Sequence, residues 1–366
     1  MFSVSQLRGP IHLGMDVAKD AIAVGVLGWG EEIPVVDRIF HDEASVRRLV
    51  ARLGDPTVLR ACYEAGPTGY ELYRLLVSLG VRCDVVAPAL IPRRAGDRVK
   101  TDRRDAQRLA RLHRAGELTA IRVPSPAEEA VRDLCRARAD LVADRRRVRQ
   151  RLKAFLLRHG RVYRGGRAWT QQHQRWLAAQ DFDDVALRLT YAHYRAVLAA
   201  RDGELAAIEA DLMACCDQEP LVATVHRLAA YRGIGDLSGL VLAAEIIDWR
   251  RFATAPLFMG FTGLVPSEYS TGEATRRGHV TKAGNRSVRT TLVEAAHAYR
   301  HRPAVGATLK TRQRRVEAVT VARSWTAQQR LCGRYRRMSA QHKPTGVIVT
   351  AIARELAGFC WAEMTS

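Results

Sequence analysis

The stretch Ile11-His-Leu-Gly-Met-Asp-Val-Ala-Lys-Asp-Ala-Ile-Ala-Val-Gly-Val-Leu27 decides the fold of the first part of the chain. Apolar residues alternate with other residues on both sides of Lys19-Asp20, which marks a turn. Strict alternation is typical of a half-buried strand, and two such runs around a short turn predict a β-hairpin. Asp16 alternates with the apolar positions. We therefore expect it to project from the face opposite them, near the end of its strand.

The residues that follow predict an α/β domain. Strand patterns cover residues 33–40, 57–63 and 81–86, and helical patterns cover residues 43–53 and 70–79. Strands that alternate with helices favour a mixed sheet, and sites in such sheets gather at strand ends.

Four acids are candidates for one site in this domain: Asp16, Glu64, Asp102 and Asp105. Glu64 ends a predicted strand. Asp102 and Asp105 are three residues apart, so they share one face of a helix for which Thr101 is a plausible N-cap. Hard divalent cations such as Mg²⁺ prefer carboxylate oxygens, and such ions assist phosphodiester chemistry. Taken singly, each acid has a plainer interpretation as a turn former or a helix N-terminal charge.

The middle of the chain predicts two long helices, over about 128–159 and 184–214. Apolar residues recur seven apart in both, at Leu134, Leu141, Val148 and Phe155 and at Leu198, Leu205 and Leu212. This spacing favours an antiparallel coiled-coil arm, although Arg138 and Arg145 interrupt the core positions. Its basic face fits either nucleic-acid contact or a solvated surface.

Residues 220–248 predict two short helices around Arg232-Gly-Ile-Gly235. A glycine–hydrophobic–glycine turn between helices is the helix-hairpin-helix pattern, in which the backbone amides near Gly233 and Gly235 can hold a phosphate. An ordinary tight helical turn explains the residues equally well.

A polar stretch, Tyr269-Ser-Thr-Gly-Glu-Ala-Thr-Arg-Arg-Gly-His-Val-Thr-Lys-Ala-Gly-Asn-Arg286, carries the second candidate site. It places the hydroxyls of Ser270 and Thr271 among cations, which are Arg276, Arg277, Lys282, Arg286 and Arg289. A hydroxyl is a potential nucleophile, and guanidinium groups stabilise the charge that builds on phosphorus. A polar surface loop before a helix is the alternative interpretation.

Composition limits the possible partners. The chain has 366 residues, and 58 Lys+Arg against 38 Asp+Glu give a net charge of +20. Such a charge indicates a nucleic acid first and an anionic membrane surface second. We expect no membrane-spanning helix, because no long apolar run is present. Seven scattered cysteines suggest neither a disulfide framework nor a zinc site, and they favour a reduced, cytoplasmic compartment. The sequence also lacks a Walker phosphate loop.

Several longer motifs together resemble the insertion-sequence 110 (IS110) transposase family. In the first part they are Gly14-Met-Asp16-Val-Ala-Lys, Tyr63-Glu64-Ala-Gly-Pro-Thr-Gly-Tyr70 and Lys100-Thr-Asp102-Arg-Arg-Asp105-Ala-Gln. In the last part they are Gly233-Ile-Gly235, Gly263-Leu-Val-Pro266-Ser-Glu-Tyr-Ser270-Thr-Gly272, Arg277-Gly and Thr281-Lys-Ala-Gly-Asn285. The resemblance runs from about residue 11 to residue 360.

The resemblance implies an RNase-H-like, Holliday-resolvase-like domain over 8–122, a coiled-coil arm over 123–219 and a mainly helical transposase domain over 220–366. It also implies that the four acids bind Mg²⁺, with Mn²⁺ as a possible substitute, and that a serine is the nucleophile. Many members place serine directly before the glycine that corresponds to Gly272. This chain has Thr271 there, so Ser270 is our choice, Thr271 stays open, and Ser267 is a distant third.

The same resemblance implies partners and a reaction. The partners are donor and target DNA, a noncoding bridge RNA and further copies of the chain, as a dimer or tetramer whose active sites combine domains of different subunits. We expect a nucleoid-associated recombinase without a membrane partner. We also expect Lys100 and the cations of the serine stretch to bind nucleic acid. The alternatives are a metal-dependent nuclease of the Holliday-resolvase type and a noncatalytic RNA- or DNA-binding protein.

Overall fold

The computed structural model of the chain describes residues 9–88, 91–92, 101–269, 271 and 276–366, with only the backbone of Arg277. Two compact units make up the chain, Met1–Val123 and Pro124–Ser366. The first contains the five-stranded sheet, and the second is mostly helical. The predicted α/β domain followed by a helical remainder is therefore confirmed.

The first unit is built on one mixed sheet in the order β3-β2-β1-β4-β5. Its strands are β1 Ile11–Val17, β2 Ala21–Leu27, β3 Val35–Phe40, β4 Leu59–Glu64 and β5 Arg82–Val86. The first three strands pair antiparallel, whereas β4 pairs parallel with both β1 and β5. The helices are α1 Glu43–Leu53, α2 Glu71–Ser78 and α3 Asp102–Arg114, and a 3₁₀ turn covers Pro56–Val58.

The two faces of strand β1 are covered differently. Ile11, Leu13 and Met15 are buried in a hydrophobic cluster that includes residues of α1 and α2. On the opposite face, a Cβ atom at Gly14 would clash with the backbone of α3. Glycine therefore lets α3 lie directly on the strand, and the face that carries Asp16 is covered by this helix instead of facing solvent.

The second unit begins with two long helices, α4 Pro126–Arg158 and α6 Val185–Cys215. They run antiparallel, because Arg138 near the start of α4 pairs with Glu209 near the end of α6 at 2.8 Å, while Arg145 pairs with Asp202 at 3.5 Å. The leucines of α6 that are seven apart are buried, as the spacing predicts. The sequence did not predict the short helix between them, α5 Gln171–Ala178.

The rest of the second unit packs around its apolar helices. Its helices are α7 Val222–Ala229, α8 Asp236–Ile246, α9 Ala255–Thr262, α10 Arg286–Ala296, α11 Ala307–Gln313, α12 Ala318–Ala340 and α13 Thr345–Thr365, with a 3₁₀ turn at His297–Arg300. A small hairpin, β6 Pro266–Glu268 and β7 Arg277–Val280, lies between α9 and α10. A short break separates α11, which ends at Gln313, from α12, which begins at Ala318.

Helix α13 has the length and composition of a membrane span, with a mean hydropathy of 1.3, and it is the one such helix among the described residues. Its residues Ile348, Ile352 and Leu356 are buried in the main hydrophobic cluster of the second unit. This burial indicates a core helix, since core helices meet the same length and composition criteria.

Candidate active site and nucleic-acid interface

Asp16 and Glu64 lie side by side at one edge of the sheet. Their strands are parallel, and the last register pair is Met15 with Tyr63. Asp16 and Glu64 each follow one residue later. Because side chains alternate along a strand, both acids belong to the face opposite Met15, which is the face that α3 covers. Asp16 is partly buried and Glu64 is exposed.

The course of α3 over this face brings its first turn to the same edge. His12, early in β1, has its ring centroid 5.1 Å from that of His113, near the end of the helix. Further along the strand, Gly14 meets Ala110 and Ala106. Residues later in β1 are therefore covered by residues earlier in α3. The start of α3 lies toward the strand end that carries Asp16.

Thr101 caps that first turn, as the sequence predicts. Its side-chain oxygen accepts a hydrogen bond from the backbone N–H of Arg104 at 3.3 Å. Asp102 and Asp105 both fall in this turn, where acidic side chains are favourable to the helix dipole. Asp102 is exposed, whereas Asp105 is only 8% exposed.

Asp105 shows how far these acids suit a divalent cation. One of its carboxylate oxygens, Oδ1, accepts from Arg108 at 2.7 Å, while Oδ2 is buried and has no hydrogen-bond partner among the described residues. A buried oxygen with no partner fits a ligand that supplies positive charge. No three His, Cys, Asp or Glu side chains in the described ranges are close enough to hold a metal. The four acids thus lie toward the same edge of the sheet, and no three of them form a ligand set within the described ranges.

The serine stretch is a hairpin, which the sequence did not predict. Strands β6 and β7 are antiparallel, and the backbone N–H of Tyr269 donates to the carbonyl of Arg276 at 2.9 Å. Ser270 lies outside the described residues, and Thr271 is exposed. Ser267 donates its hydroxyl to the carbonyl of His279 at 3.1 Å, so this hydroxyl has a structural partner within the hairpin.

The cations around the hairpin divide into exposed and anchored groups. Arg276, Lys282 and Arg286 are exposed. Arg289 instead donates to the carbonyl of Thr262 at 3.0 Å, which holds the end of α9. The exposed cations are therefore the better candidates for phosphate contacts. Lys100 and the side chain of Arg277 lie outside the described part of the chain.

The glycine turn between α7 and α8 is explained by packing. Gly233 has φ +86°, a conformation that favours glycine, and a Cβ there would clash with the carbonyl of Ala295. Arg312 donates to the carbonyl of Ile234 in the same turn. Gly235 is the N-cap of α8 without a side-chain cap. Phosphate binding by these amides remains a prediction.

Sequence reasoning missed Glu245, a buried carboxylate in α8 that links two parts of the second unit. It accepts from Arg136 of α4 at 3.0 and 3.2 Å and from the side chain of Asn285 at 2.8 Å. Asn285 is also the N-cap of α10, since its oxygen accepts from the N–H of Val288 at 2.9 Å. An acid within the apolar run of α8 was the available signal, because a buried charge requires partners.

A cavity of about 460 Å³ opens at the opposite end of the first sheet from the acids. There His113 contacts Asp84 at 3.1 Å and His12 at 3.3 Å. Burial, followed by the charges of His113, Arg114 and Arg60, lowers the pKa of His12 to about 4. His12 is therefore neutral at pH 7. No local pattern signals this cluster, since its members are far apart in the chain.

Comparison with known proteins gives two family matches. The model DEDD_Tnp_IS110, described as a transposase, matches residues 13–160. The model described as transposase IS116/IS110/IS902 family matches residues 225–310. Both the acids and the hairpin fall within these ranges.

Curated relatives match over most of their lengths. The chain is 45% identical to y4qE of Sinorhizobium fredii, over 96% of this chain and 87% of the relative. The name of that relative describes it as a transposase. It is 32% identical to the transposase for insertion sequence element IS1533 of Leptospira borgpetersenii, over 92% and 99%. It is 24% identical to the transposase for insertion sequence element IS1111A of Coxiella burnetii, over 78% and 77%.

Proposed function

Because the chain belongs to the IS110 family of transposases, we propose that it cuts and rejoins the DNA of an insertion sequence by transesterification through a serine. The observation that most supports the proposal is that Asp16 and Glu64 lie near the ends of neighbouring parallel strands, on the face that α3 covers, while Asp102 and Asp105 lie in the first turn of that helix. A mixed five-stranded sheet with acids at its edge is compatible with an RNase-H-like domain. The exposure of Thr271, and of Arg276 and Lys282 near it in sequence, supports a separate nucleophile in this stretch.

In this proposal the Ser270 hydroxyl attacks a DNA phosphorus. A bond forms between the serine oxygen and phosphorus, the bond from phosphorus to one deoxyribose oxygen breaks, and that oxygen takes a proton. The hydroxyl of a second DNA end then attacks the phosphoserine, and the serine oxygen leaves. One phosphodiester replaces another in each exchange, so no ATP is needed, which agrees with the missing Walker motif.

The cations of the hairpin and the acids of the sheet have different tasks. Arg276, Arg277 and Lys282 offset the charge on the phosphate as it reacts. The four acids hold a divalent cation, for which Mg²⁺ is the proposal and Mn²⁺ a substitute. When bound, such an ion supplies charge stabilisation at the reacting phosphate. The buried Oδ2 of Asp105 supports this assignment, because the fold gives it no partner in the part that is described.

The proposed partners are donor and target DNA, a noncoding bridge RNA that selects them, and further copies of the chain. The net charge of +20 supports polyanionic partners. We place the protein with the bacterial chromosome in the cytoplasm.

A covalent-adduct assay tests this function. Purified protein, RNA transcribed from the element's own flanking DNA, labelled donor DNA and Mg²⁺ are incubated, and denaturing gels are run. We expect an adduct with the wild type that is lost in both Ser270→Ala and Asp16→Ala and kept in Thr271→Ala. Thr290→Ala, which removes an exposed hydroxyl from α10, is the matched control and should keep the adduct.

Two outcomes would contradict the proposal. An adduct that persists in Ser270→Ala and disappears in Thr271→Ala would move the nucleophile to Thr271. Cleavage without any adduct, lost in Asp16→Ala alone, would favour the metal-dependent nuclease. That alternative has its own support, because the four acids belong to the first unit of the chain and the hairpin belongs to the second.

A further inference from the structure

A basic groove lies along the arm of the second unit, away from the serine hairpin in sequence. It has a volume of about 360 Å³. Its lining comes from one face of α4 and from the residue before the cap of α5, and consists of Val142, Arg145, Arg146, Arg149, Gln150, Lys153 and Trp169. The α4 residues recur three or four apart, so they form one continuous strip of the helix.

Among the described residues, the cations of this basic groove outnumber the acids that pair with them. Arg145 and Arg149 share one carboxylate, Asp202, each at 3.5 Å. Burial, and then the charge of Arg145, lowers the pKa of Arg149. Arg146 and Lys153 are exposed at the edge of the groove. Cations that repel one another in this way provide a favourable site for an anion.

An aromatic ring lies within this cationic strip. The guanidinium of Arg149 is 4.7 Å from the centroid of Trp169. Arg149 Nε is buried without a hydrogen-bond partner among the described residues. Trp169 has φ +66°, which is rare for a large side chain. Thr170 follows as the cap of α5, accepting from the N–H of His173 at 3.3 Å.

We propose that the basic groove binds single-stranded nucleic acid. Arg146 and Lys153 contact successive phosphates, and a base stacks against the Arg149–Trp169 pair. A duplex needs only the cations, since its bases are already stacked, whereas a planar guanidinium and an indole beside them suit an unpaired base. This inference deepens the proposed function, on which it rests, by giving a single strand of the guide RNA or of the DNA a site on the arm.

Fluorescence anisotropy of the full chain tests the basic groove. The probes are labelled single-stranded RNA, single-stranded DNA and duplex DNA of equal length, measured in EDTA so that no cleavage occurs. We expect Arg146→Ala with Lys153→Ala to reduce the slope of log affinity against log salt for single strands by about 1 to 1.5. We expect Trp169→Ala to weaken single-strand binding by about 5-fold to 100-fold and Trp169→Phe to restore most of it.

The matched control is Arg151→Ala with Arg158→Ala. It removes two exposed arginines of the same helix that do not line the groove. Equal losses for the two double variants would overturn the proposal, because they would indicate charge alone. A loss of duplex binding as large as that of single strands, with Trp169→Ala unchanged, would also overturn it.

The single-stranded RNA and DNA probes separate the two sources of strand. If one of these two probes binds more tightly and the groove variants lose that extra affinity, the probe shows whether the groove holds RNA or DNA. Because binding is measured without cleavage, a failure of the serine chemistry leaves this result intact. Conversely, if the groove binds no single strand, the groove proposal is wrong, and the adduct assay still tests the serine chemistry separately.

Discussion

Two buried carboxylates in this protein have opposite surroundings. Glu363, in helix α13, is fully buried and accepts hydrogen bonds from Arg227 at 2.9 Å, Tyr231 at 3.1 Å and Thr320 at 2.7 Å. Asp105, in the first turn of α3, has one oxygen bonded to Arg108 and the other without a partner within the described ranges. The fold supplies hydrogen-bond donors to both carboxylate oxygens of Glu363. It supplies a donor to only one of the two carboxylate oxygens of Asp105, within the described residues.

Under the proposed function, this difference separates a structural charge from a functional one. A buried charge is costly unless its partners are supplied, so a complete set of donors indicates that the fold itself requires the acid. An acid whose buried oxygen lacks a donor lowers stability, and it persists where a ligand completes it. Three substitutions test this distinction.

Glu363→Ala should have the largest effect on stability. The substitution leaves Arg227 without its buried carboxylate and Tyr231 without its acceptor, and breaking a buried ion pair in this way costs about 3–5 kcal/mol. Urea unfolding followed by fluorescence should show a lower midpoint for the second unit. Asp211→Ala, which removes an exposed acid from α6, is the control and should change the free energy of unfolding by less than about 0.5 kcal/mol. Equal urea midpoints for the two variants would show that the buried carboxylate of Glu363 does not stabilise the fold.

Gly14→Ala should have an intermediate effect and disturb the functional acid indirectly. A Cβ there would clash with the backbone of Ala106 and Ala110, so α3 must shift, at a cost of about 1–3 kcal/mol. Because α3 carries Asp105, DNA joining should fall together with the melting temperature. The control is Gly203→Ala, where a Cβ meets no atom within 4 Å and alanine favours the helix. Full activity in Gly14→Ala would show that the position of α3 is not critical.

Asp105→Asn should have the smallest effect on stability and a complete effect on function. The side-chain oxygen can still accept from Arg108, and the loss of a half-satisfied charge should change the free energy of unfolding by less than about 1 kcal/mol. DNA joining should be lost, because an amide is a poor ligand for a hard cation compared with a carboxylate. Thermal unfolding and the adduct assay, run on the same preparation, give the two readings. A destabilisation as large as that of Glu363→Ala would abolish the distinction.

Much of the first unit could be predicted because its signals are local. The alternation in Ile11–Leu27 predicted the hairpin, and Thr101 as an N-cap predicted the start of α3. The close packing of α3 on β1 was not predicted, although Gly14 was its signal. A glycine in a strand shows that something approaches closely but does not say what it is.

The second unit was harder to predict where its contacts are long-range or its elements short. The strands Pro266–Glu268 and Arg277–Val280 are too brief for a period to be recognised. The buried acids Glu245 and Glu363 depend on partners more than 35 residues away along the chain. Such pairings follow from tertiary packing, which local patterns do not contain.

The carboxylate of Glu245 has a mechanical consequence. Arg136 on the arm and Asn285 after the serine hairpin are both hydrogen-bonded to it, so it acts as a pivot shared by the two. From Arg136 to the end of α4 is 22 residues, or about 33 Å at 1.5 Å per residue. A bound nucleic-acid strand that tilts the arm by about 10° would move the end of α4 by roughly 6 Å. The same tilt would pull on the residue that starts helix α10. Load on the arm would therefore reach the start of α10 partly through this one side chain, beside the hydrogen bond from Arg132 to the carbonyl of Ala244.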